Sequence, residues 1–491
     1  MISRPKKGIT TAVLAVIIIV VIVIAAIGIY YATTTTTTST TTTTTTTSTT
    51  FTTTTTTNTT SSATSGSITI AVEPGYDDAA LKQVAANYEA SHPGTTINIA
   101  DVAYPAVDTD YVTAFSAHQD IYDVVYFSNA GQLAPFDQWL VPLQSYMTNT
   151  AYFPSTYNFS DIIPTTYAAY NISGNLLGLP IQADAMLMFY QPSYFTNSTN
   201  QQQFMSEYGY PLPNPGTSTI NATQLVNIAN FFTGAHGSKY GILFNADPDD
   251  DDMLQTFSQL VAGTRLSDTS LYGPVNPTYG VLYSSTGQLL MNSSAYIPLL
   301  SDMAQLVKDT EAPFSGTFGD SVNYFQVNGT SPILISFSYP MGYLNDTNGA
   351  YGTGWAIAPK EIGGTAVLGG IGLGIYNGTK NLPLALSFVA YATSSQEDLN
   401  YWKLDSLAPP RYSDIATVEQ SGFPSAILNT FYSNLATAVQ IEANEPYEPT
   451  LGSSFVATMP YLVLGQISAS TAAGLIETSA VNAGATPYRP G

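Results

Sequence analysis

The side chains that most often carry out catalysis are scarce in this sequence and lie far apart. The 491 residues include no cysteine and 3 histidines, which are His92, His118 and His236. The lack of cysteine excludes thiolate catalysis, disulfide bonds and cysteine-ligated metals. The sequence contains no H-E-x-x-H, G-x-S-x-G or P-loop motif. We therefore expect no cofactor, and a pair of carboxylates that meets only in the fold leaves glycoside hydrolysis open.

One acidic run, NADPDDDDMLQTFSQLV at residues 245–261, brings many oxygen ligands together in the sequence. It lacks the EF-hand arrangement, in which a glycine occupies the sixth position of the loop. Carboxylates that directly precede an apolar periodic segment are typical of a capped helix N-terminus. We therefore predict that these residues cap a helix or line a cleft, and that the protein binds no metal.

The elements that would position polar residues begin with a β-α-β pattern. ITIAV at residues 68–72 is typical of a strand, and apolar residues then recur at i, i+3, i+4 and i+7 from Leu81, which indicates an amphipathic helix. TTINIADV at residues 95–102 predicts the next strand, and YDVVYFS at residues 122–128 predicts a third. This order predicts a parallel, right-handed unit of an α/β fold.

Open α/β sheets bind their ligands beyond the carboxyl ends of the strands. Glu73 and Tyr76 follow the first predicted strand, and Phe127, Ser128 and Asn129 end or follow the third. The sequence therefore predicts that these residues face a ligand.

Later segments continue a recognisable order. They are GNLLGLPIQADAMLMFYQPSYF, YFQVNGTSPILISFSYPMGYL, VLGGIGLGIYNGTKNLPLALSFVAYATSSQ and LAPPRYSD. Together with ITIAVEPG and DIYDVVYFSNAGQLAPFDQWLVPL, they resemble family 1 extracellular solute-binding proteins, the maltose-binding-like receptors of ABC sugar importers. The resemblance implies a type II periplasmic-binding-protein fold, in which two α/β lobes enclose a hinged ligand cleft. The resemblance implies a first lobe of residues 67–180 with about 371–408. It implies a second lobe of about 181–370 with 409–491.

The resemblance also implies ligand-binding residues. Asp184 falls where the family often keeps an acidic sugar ligand, and Tyr339 takes the place of a tryptophan that usually stacks on sugar. Gly370, within the GGIG turn, would let the backbone approach the ligand. Ser453 and Phe455 match a late segment that contributes contacts.

The amino terminus predicts a membrane anchor. RPKKGITTAV resembles the prepilin-like signal of archaeal surface proteins, which would be cut after Gly8. Residues 12–32 carry no charge, and as a helix they would span ~31 Å, about the hydrocarbon thickness of a bilayer. Positive charges precede this segment, so residues 1–11 should lie in the cytoplasm and residues after about 32 outside. The Thr/Ser-rich residues 33–66 predict a disordered stalk.

Nine N-x-[ST] sequons predict glycosylation of an exported chain. They are at Asn58, Asn158, Asn171, Asn197, Asn221, Asn292, Asn328, Asn345 and Asn377.

Composition limits the partners. Charged residues make up 9% of the chain, and 12 basic against 34 acidic residues leave a net charge of -22. No basic patch is present, which argues against nucleic acid as a partner. The expected partners are a sugar or oligosaccharide, the permease subunits of an ABC importer, and the membrane. The alternatives are a peptide or other solute receptor on the same fold, a tethered surface glycosidase, and a structural surface protein. The low charge also predicts a protein suited to an acidic exterior.

Overall fold

The fold was analysed in a computed structural model of the chain. The structure describes residues 65–72, 78–102, 106–127, 133–168, 170–247, 252–267, 273–276, 279–311, 318–327, 330–344, 354–441 and 447–488. All of them belong to one unit of the chain, Ser61–Gly491. The predicted signal, anchor helix and stalk, apart from the last residues of the stalk, lie outside these residues.

The strands are short. They are β1 (Gly66–Val72), β2 (Thr95–Asp101), β3 (Val124–Phe127), β4 (Asn171–Ile172), β5 (Asn175–Leu176), β6 (Gly178–Pro180), β7 (Asp184–Ala185), β8 (Leu187–Tyr190), β9 (Gln288–Leu289), β10 (Ile333–Ser336), β11 (Ala356–Ile357), β12 (Leu368–Gly369), β13 (Gly372–Ile375) and β14 (Thr486–Pro487).

Helices and groups of helices occur between the strands along the described part of the chain. They are α1 (Asp78–Ser91), α2 (Ala106–Ser116), α3 (Pro164–Ala168), α4 (Pro192–Thr196), α5 (Ser198–Tyr208), α6 (Ala222–Phe232), α7 (Asp252–Ser267), α8 (Tyr296–Asp309), α9 (Phe318–Gln326), α10 (Pro340–Tyr343), α11 (Leu382–Ala392), α12 (Ser395–Asp405), α13 (Tyr412–Gln420), α14 (Ser425–Leu435), α15 (Glu448–Val463) and α16 (Ala469–Ala483). Among these helices, none combines the length and the apolar character needed to cross a bilayer.

The first sheet confirms the predicted β-α-β unit. Its strand order is β2-β1-β3-β13-β6, and β1 pairs in parallel with both β2 and β3. The helix between β1 and β2 is α1, and its apolar positions Leu81, Val84, Ala85 and Tyr88 are all buried. The i, i+3, i+4, i+7 spacing puts these four side chains on one face, which packs on the sheet.

A second sheet, β10-β8-β11, is antiparallel. Every residue of its central strand β8 is buried, and the side chains of that strand alternate between two cores. Met188 and Tyr190 belong to one apolar cluster, and Leu187 and Phe189 to another. The strand is therefore covered on both faces, as the period of two in a strand allows.

The buried apolar side chains divide into three cores. The first core takes its residues from the ranges 68–181 and 371–407. The second core draws on the ranges 186–367 and 441–485. The third core, between residues 163 and 435, includes residues of both β8 and α14. The chain thus passes from the first core to the others around residues 181–186 and returns around residues 367–371.

Candidate functional site

Three chain segments lie side by side where the polypeptide passes between the cores. The Ile181 amide donates to the carbonyl of Ile371 at 2.9 Å, and the Ala183 amide donates to the carbonyl of Ala408 at 2.8 Å. Asp184 of β7 is paired with Gly369 of β12. We call these segments, residues 181–184, 369–371 and 406–408, the crossing.

A glycine is required within the crossing. Gly370 has φ +124°, a backbone conformation that residues with a side chain rarely adopt. A Cβ atom at this position would lie 3.2 Å from the carbonyl oxygen of Gln182 and 3.4 Å from the hydroxyl of Tyr170. The absence of a side chain therefore lets two segments of the crossing approach each other beside Tyr170.

A buried carboxylate occupies the crossing next to this glycine. Asp184 is 7% exposed. Its Oδ1 atom accepts hydrogen bonds from the amide of Ser338 at 2.7 Å and from the amide of Ala185 at 2.8 Å. Because Ser338 lies between β10 and α10, this carboxylate joins the crossing to the second sheet.

Two buried hydroxyl groups flank Asp184. The hydroxyls of Tyr170 and Ser338 are inaccessible to solvent and have no hydrogen-bond partner in the described part of the chain. Burial raises the pKa of Tyr170 far above its usual value, and the charge of Asp184 raises it further. The Tyr170 phenol is therefore neutral and keeps its proton to donate. Buried polar groups normally have partners, so both hydroxyls have unused capacity to bind a ligand or water.

The accessible part of the site is formed by Phe337 and Gly369, which are half-buried. A Cβ atom at Gly369 would lie 2.6 Å from the Phe337 ring and 3.2 Å from Asp184 Oδ2. An aromatic ring and a carboxylate thus lie against the same glycine. We call Tyr170, Asp184, Phe337, Ser338, Gly369 and Gly370 the crossing cluster. It offers an apolar ring face together with a charged acceptor and hydroxyl groups.

Two of the predicted residues lie beside this cluster. The Phe127 ring meets the Tyr170 ring edge to face at 4.9 Å, and it is fully buried in the first core. Tyr339 directly follows Ser338, is 5% exposed, and meets the Tyr343 ring at 5.9 Å. The structure therefore brings Phe127, Asp184 and Gly370 close to Tyr170, and Tyr339 adjoins the cluster through Ser338.

Ser453 and Phe455 lie on opposite faces of α15. Ser453 is exposed, and its hydroxyl donates to the carbonyl of Pro449 one turn earlier at 2.8 Å. Phe455 is completely buried in the second core, where its ring lies 5.1 Å from that of Phe257. Residues two apart on a helix are about 200° apart around its axis, so the pair cannot contact one ligand from one helix face.

Four of the predicted ligand-facing residues lie outside the described residues. They are Glu73, Tyr76, Ser128 and Asn129. Part of the acidic run also lies outside them, and the described helix α7 begins at Asp252. Within the described residues, no group of three or more His, Asp and Glu side chains is arranged to hold a metal ion.

All six sequons in the described residues are exposed. They are those at Asn158, Asn171, Asn197, Asn221, Asn292 and Asn377, whereas Asn58, Asn328 and Asn345 lie outside. Two of the six also have a structural role. Asn197 caps α5 by accepting from the amide of Thr199 at 2.9 Å, and Asn221 forms a capping box with Gln224 on α6.

Sequence reasoning missed Tyr170, Phe337 and Ser338. Tyr170 lies in a loop before β4, where no periodicity marks it. Phe337 lies directly after β10 and before the turn into α10, where no strand or helix period marks it. The unpaired hydroxyl of Ser338 depends on contacts from distant segments, so only the fold reveals it.

The comparisons with known proteins agree on one family. The sequence model of the bacterial extracellular solute-binding protein family matches residues 74–398. No curated protein sequence matches the chain.

Solved structures show a similar fold. Maltose-bound MalE3 of T. maritima has a TM-score of 0.66 and 17% identity, covering 84% of this chain and 99% of that one. A ribitol-bound ABC transporter solute-binding protein of Agrobacterium radiobacter has a TM-score of 0.67 and 16% identity, covering 85% and 98%. The maltotriose-bound maltodextrin-binding domain of Bdellovibrio bacteriovorus has a TM-score of 0.62 and 14% identity, covering 85% and 99%. At these identities the likeness establishes the α/β solute-binding-protein fold.

Proposed function

Because the chain belongs to the bacterial extracellular solute-binding protein family, we propose that it captures a sugar or oligosaccharide and delivers it to the permease of an ABC importer. Similar structures carry maltose, ribitol and maltotriose. The chemistry of the crossing cluster suits the same class of ligand.

One observation carries this proposal, which is that the buried hydroxyls of Tyr170 and Ser338 lie near Asp184 and have no hydrogen-bond partner among the described residues. A carboxylate accepts hydrogen bonds, and a neutral phenol or serine hydroxyl both donates and accepts. A sugar hydroxyl also does both, so a polyol satisfies all three groups at once. The Phe337 ring supplies the apolar surface against which the C–H face of a sugar ring packs.

The predicted lobe boundaries belong to the same proposal. The apolar side chains of the first core come from residues 68–181 and 371–407, and this division supports a first lobe of residues 67–180 with about 371–408. In the proposed mechanism the two lobes close on the ligand by rotation at the crossing. Ligand contacts from both lobes then favour the closed state over the open one.

The test is a thermal-shift screen of the purified chain with maltose, maltotriose, ribitol and a tripeptide. We expect one of the carbohydrates to raise the unfolding midpoint in proportion to the logarithm of its concentration above Kd. The recovered oligosaccharide should be intact, with no new reducing ends. A shift with the tripeptide alone, or hydrolysis of the bound oligosaccharide, would contradict the proposal.

We further propose that the chain works at the cell surface as a glycosylated, archaeal-type anchored receptor. Residues 1–11 form the prepilin-like signal in this proposal, residues 12–32 the transmembrane anchor and residues 33–66 the stalk. The charge-free segment and the preceding basic residues support it. The six exposed sequons support glycosylation.

Cell fractionation tests the anchor. The full chain should sediment with membranes and resist extraction by high salt, while a variant without residues 1–32 should stay in the supernatant. Mass spectrometry of the amino-terminal peptide should find Ile9 as the first residue if the signal is cut after Gly8. Full release of the intact chain by salt alone would refute the anchor.

A further inference from the structure

A cavity of about 740 Å³ lies outside the crossing cluster and shares no residue with it. It is bounded by the last turn of α1, the loop of residues 150–158, the end of α11 and the first turns of α12 and α13. Cavities of roughly 300–1,000 Å³ are typical of sites for small molecules. The proposed receptor function gives this cavity no role.

Aromatic rings form much of the wall of the cavity. His92, Tyr152, Tyr157 and Tyr391 are all half-buried, so each presents part of its ring. The orientations of His92 and Tyr391 are held by packing on the buried Tyr88. The rings of His92 and Tyr88 stack at 4.0 Å, and the Tyr391 ring meets Tyr88 edge to face at 5.3 Å. The cavity therefore offers fixed apolar ring surfaces to a ligand.

The Asp161 carboxyl group and the Arg411 guanidinium group in the wall both already have partners. Asp161 accepts from the amide of Ser413 at 3.1 Å and from its hydroxyl at 2.6 Å. Arg411 is 2% exposed, donates to two backbone carbonyls at 2.8 Å, and lies 3.3 Å from the Asp398 carboxylate. An ion entering the cavity would compete with these pairs, so an ionic ligand is disfavoured.

The remaining polar groups of the wall are neutral hydroxyls and amides. They belong to Thr150, Thr156, Asn158, Ser387, Ser394, Ser395 and Gln396. Neutral donors and acceptors beside aromatic rings match a molecule that has both hydroxyl groups and apolar C–H faces. We propose that this cavity is a second carbohydrate site, which holds a pyranose unit of a saccharide.

The pyranose can come from two sources. One is a soluble saccharide, and the other is a glycan attached to the chain itself. The sequon residue Asn158 is exposed and contributes to the wall, and its Oδ1 accepts from the Ser160 hydroxyl at 2.7 Å. That bond leaves Nδ2, the atom to which an N-linked glycan attaches, uninvolved. The first sugars of such a glycan would start at the edge of the cavity.

The experiment uses the full chain, produced both in a host that attaches N-glycans and in one that does not. Thr156→Trp places a large ring on an exposed wall position and blocks the cavity. Thr148→Trp is the matched control, because Thr148 is exposed on the preceding turn and does not line the cavity. The probes are N,N′-diacetylchitobiose and maltose, and their binding is measured by saturation-transfer NMR in an Asp184→Asn background, in which binding at the crossing cluster is weakened.

Two results support the proposal and identify the source. If the source is a soluble saccharide, the probes should bind to the unglycosylated chain. Thr156→Trp should weaken this binding at least tenfold, and Thr148→Trp should leave it unchanged. If the source is the attached glycan, Asn158 should be modified in the glycosylated chain. Amide exchange in residues 150–158 should then be at least tenfold slower than in the unglycosylated chain. Ser160→Ala and Thr156→Trp should each abolish that slowing.

The proposal is overturned if neither probe binding nor glycan-dependent protection responds to Thr156→Trp, or if no probe binds and Asn158 is unmodified. If Thr156→Trp does not fold, Tyr152→Ala removes a half-buried wall ring and must cause the same loss. Unchanged binding or protection in that variant equally refutes the site.

Discussion

The acidic side chains of Asp184 and Glu361 have different surroundings. Both are buried carboxylates that accept a backbone amide, Asp184 from Ser338 and Glu361 from Met188 at 2.6 Å. Glu361 also accepts from Asn434 at 2.9 Å, so both of its oxygens are used. Asp184 instead adjoins unpartnered hydroxyls and the half-buried Phe337. These surroundings, rather than the carboxylate itself, are the reason why we propose Asp184 as a ligand residue.

We expect Asp184→Asn to weaken carbohydrate binding at the crossing cluster while keeping the fold. Asparagine retains the Oδ1 acceptor for the Ser338 amide but loses the charge, and a hydrogen bond to a charged group contributes about 1.5–3 kcal/mol. The Kd measured by calorimetry should rise by roughly 10-fold to 150-fold.

Glu361→Gln is the matched control for that substitution. It should lower the unfolding midpoint, because Glu361 links Met188 and Asn434, and leave the Kd unchanged. Equal affinity of the Asp184→Asn protein and the wild type would remove Asp184 from the site.

Elements position the site through their ends rather than their middles. Asp184 and Gly369 pair across the two-residue strands β7 and β12, and Ser338 lies between β10 and α10. Such short elements have few hydrogen bonds of their own, so contacts across the crossing must hold them. Glycines and helix caps fix the local backbone geometry at these ends. The contribution of each to stability can be tested by substitution.

Gly370→Ala should destabilise the protein by about 1–3 kcal/mol, since φ +124° is strained for alanine and the new methyl group meets the Gln182 carbonyl. The control is Gly422→Ala, where φ is +100° but no atom lies within 4 Å of the new methyl group. Urea denaturation should give the larger loss at position 370. A smaller loss there than at position 422 would mean that the crossing has room for a side chain.

Asn221 tests whether a sequon is needed for the fold itself. In the unglycosylated chain, Asn221→Ala should cost about 1 kcal/mol because α6 loses its capping box. Asn221→Asp removes the sequon but keeps the acceptor oxygen, so its free energy of unfolding should stay within a few tenths of a kcal/mol of the wild type. Equal losses in both variants, measured by urea denaturation, would show that the cap contributes nothing.

At the scale of the molecule, two buried arginine side chains bind backbone carbonyl groups in the interior. Arg265 and Arg411 are 0% and 2% exposed, and both donate to backbone carbonyls.

Burial is the largest cause of a raised pKa in one set of carboxyl groups, namely Asp123, Asp137, Asp302, Asp309, Glu311, Glu361, Asp398 and Asp414. For Glu311 the pKa reaches about 7.

These shifts predict a protein that gains stability as the pH falls. A carboxyl group with a raised folded pKa binds its proton more tightly in the folded state than in the unfolded state. Its stabilising contribution is complete below the unfolded pKa, near 4, and is lost as the pH rises through the folded value. The unfolding midpoint should therefore be higher at pH 5 than at pH 8, as calorimetry can measure.

Glu311→Gln should flatten part of that rise, between about pH 4.5 and 7, because this group titrates there. A control at an exposed carboxylate, Glu207→Gln, should leave the profile unchanged. A midpoint that falls between pH 7 and pH 5 would contradict the prediction.

The sequence alone determined the features that depend on local spacing. The burial of Leu81, Val84, Ala85 and Tyr88 follows from helical periodicity, and the parallel pairing of β1 with β2 follows from the β-α-β order. The ordered resemblance of its segments predicted the family, because a fold leaves a similar succession of elements in distant sequences. Asp184 was predicted as a ligand residue in the same way, from a segment aligned without gaps, and this role stays a prediction.

The tertiary structure alone decided which side chains meet. Tyr170, Asp184, Ser338 and Gly370 are separated by up to 200 residues, and they lie together only because segments cross between the cores. Burial likewise separated Ser453 from Phe455, which are close in sequence but face opposite sides of α15. Periodicity records the environment of a residue along its own element. Contacts between elements depend on how cores pack, and no local pattern contains that information.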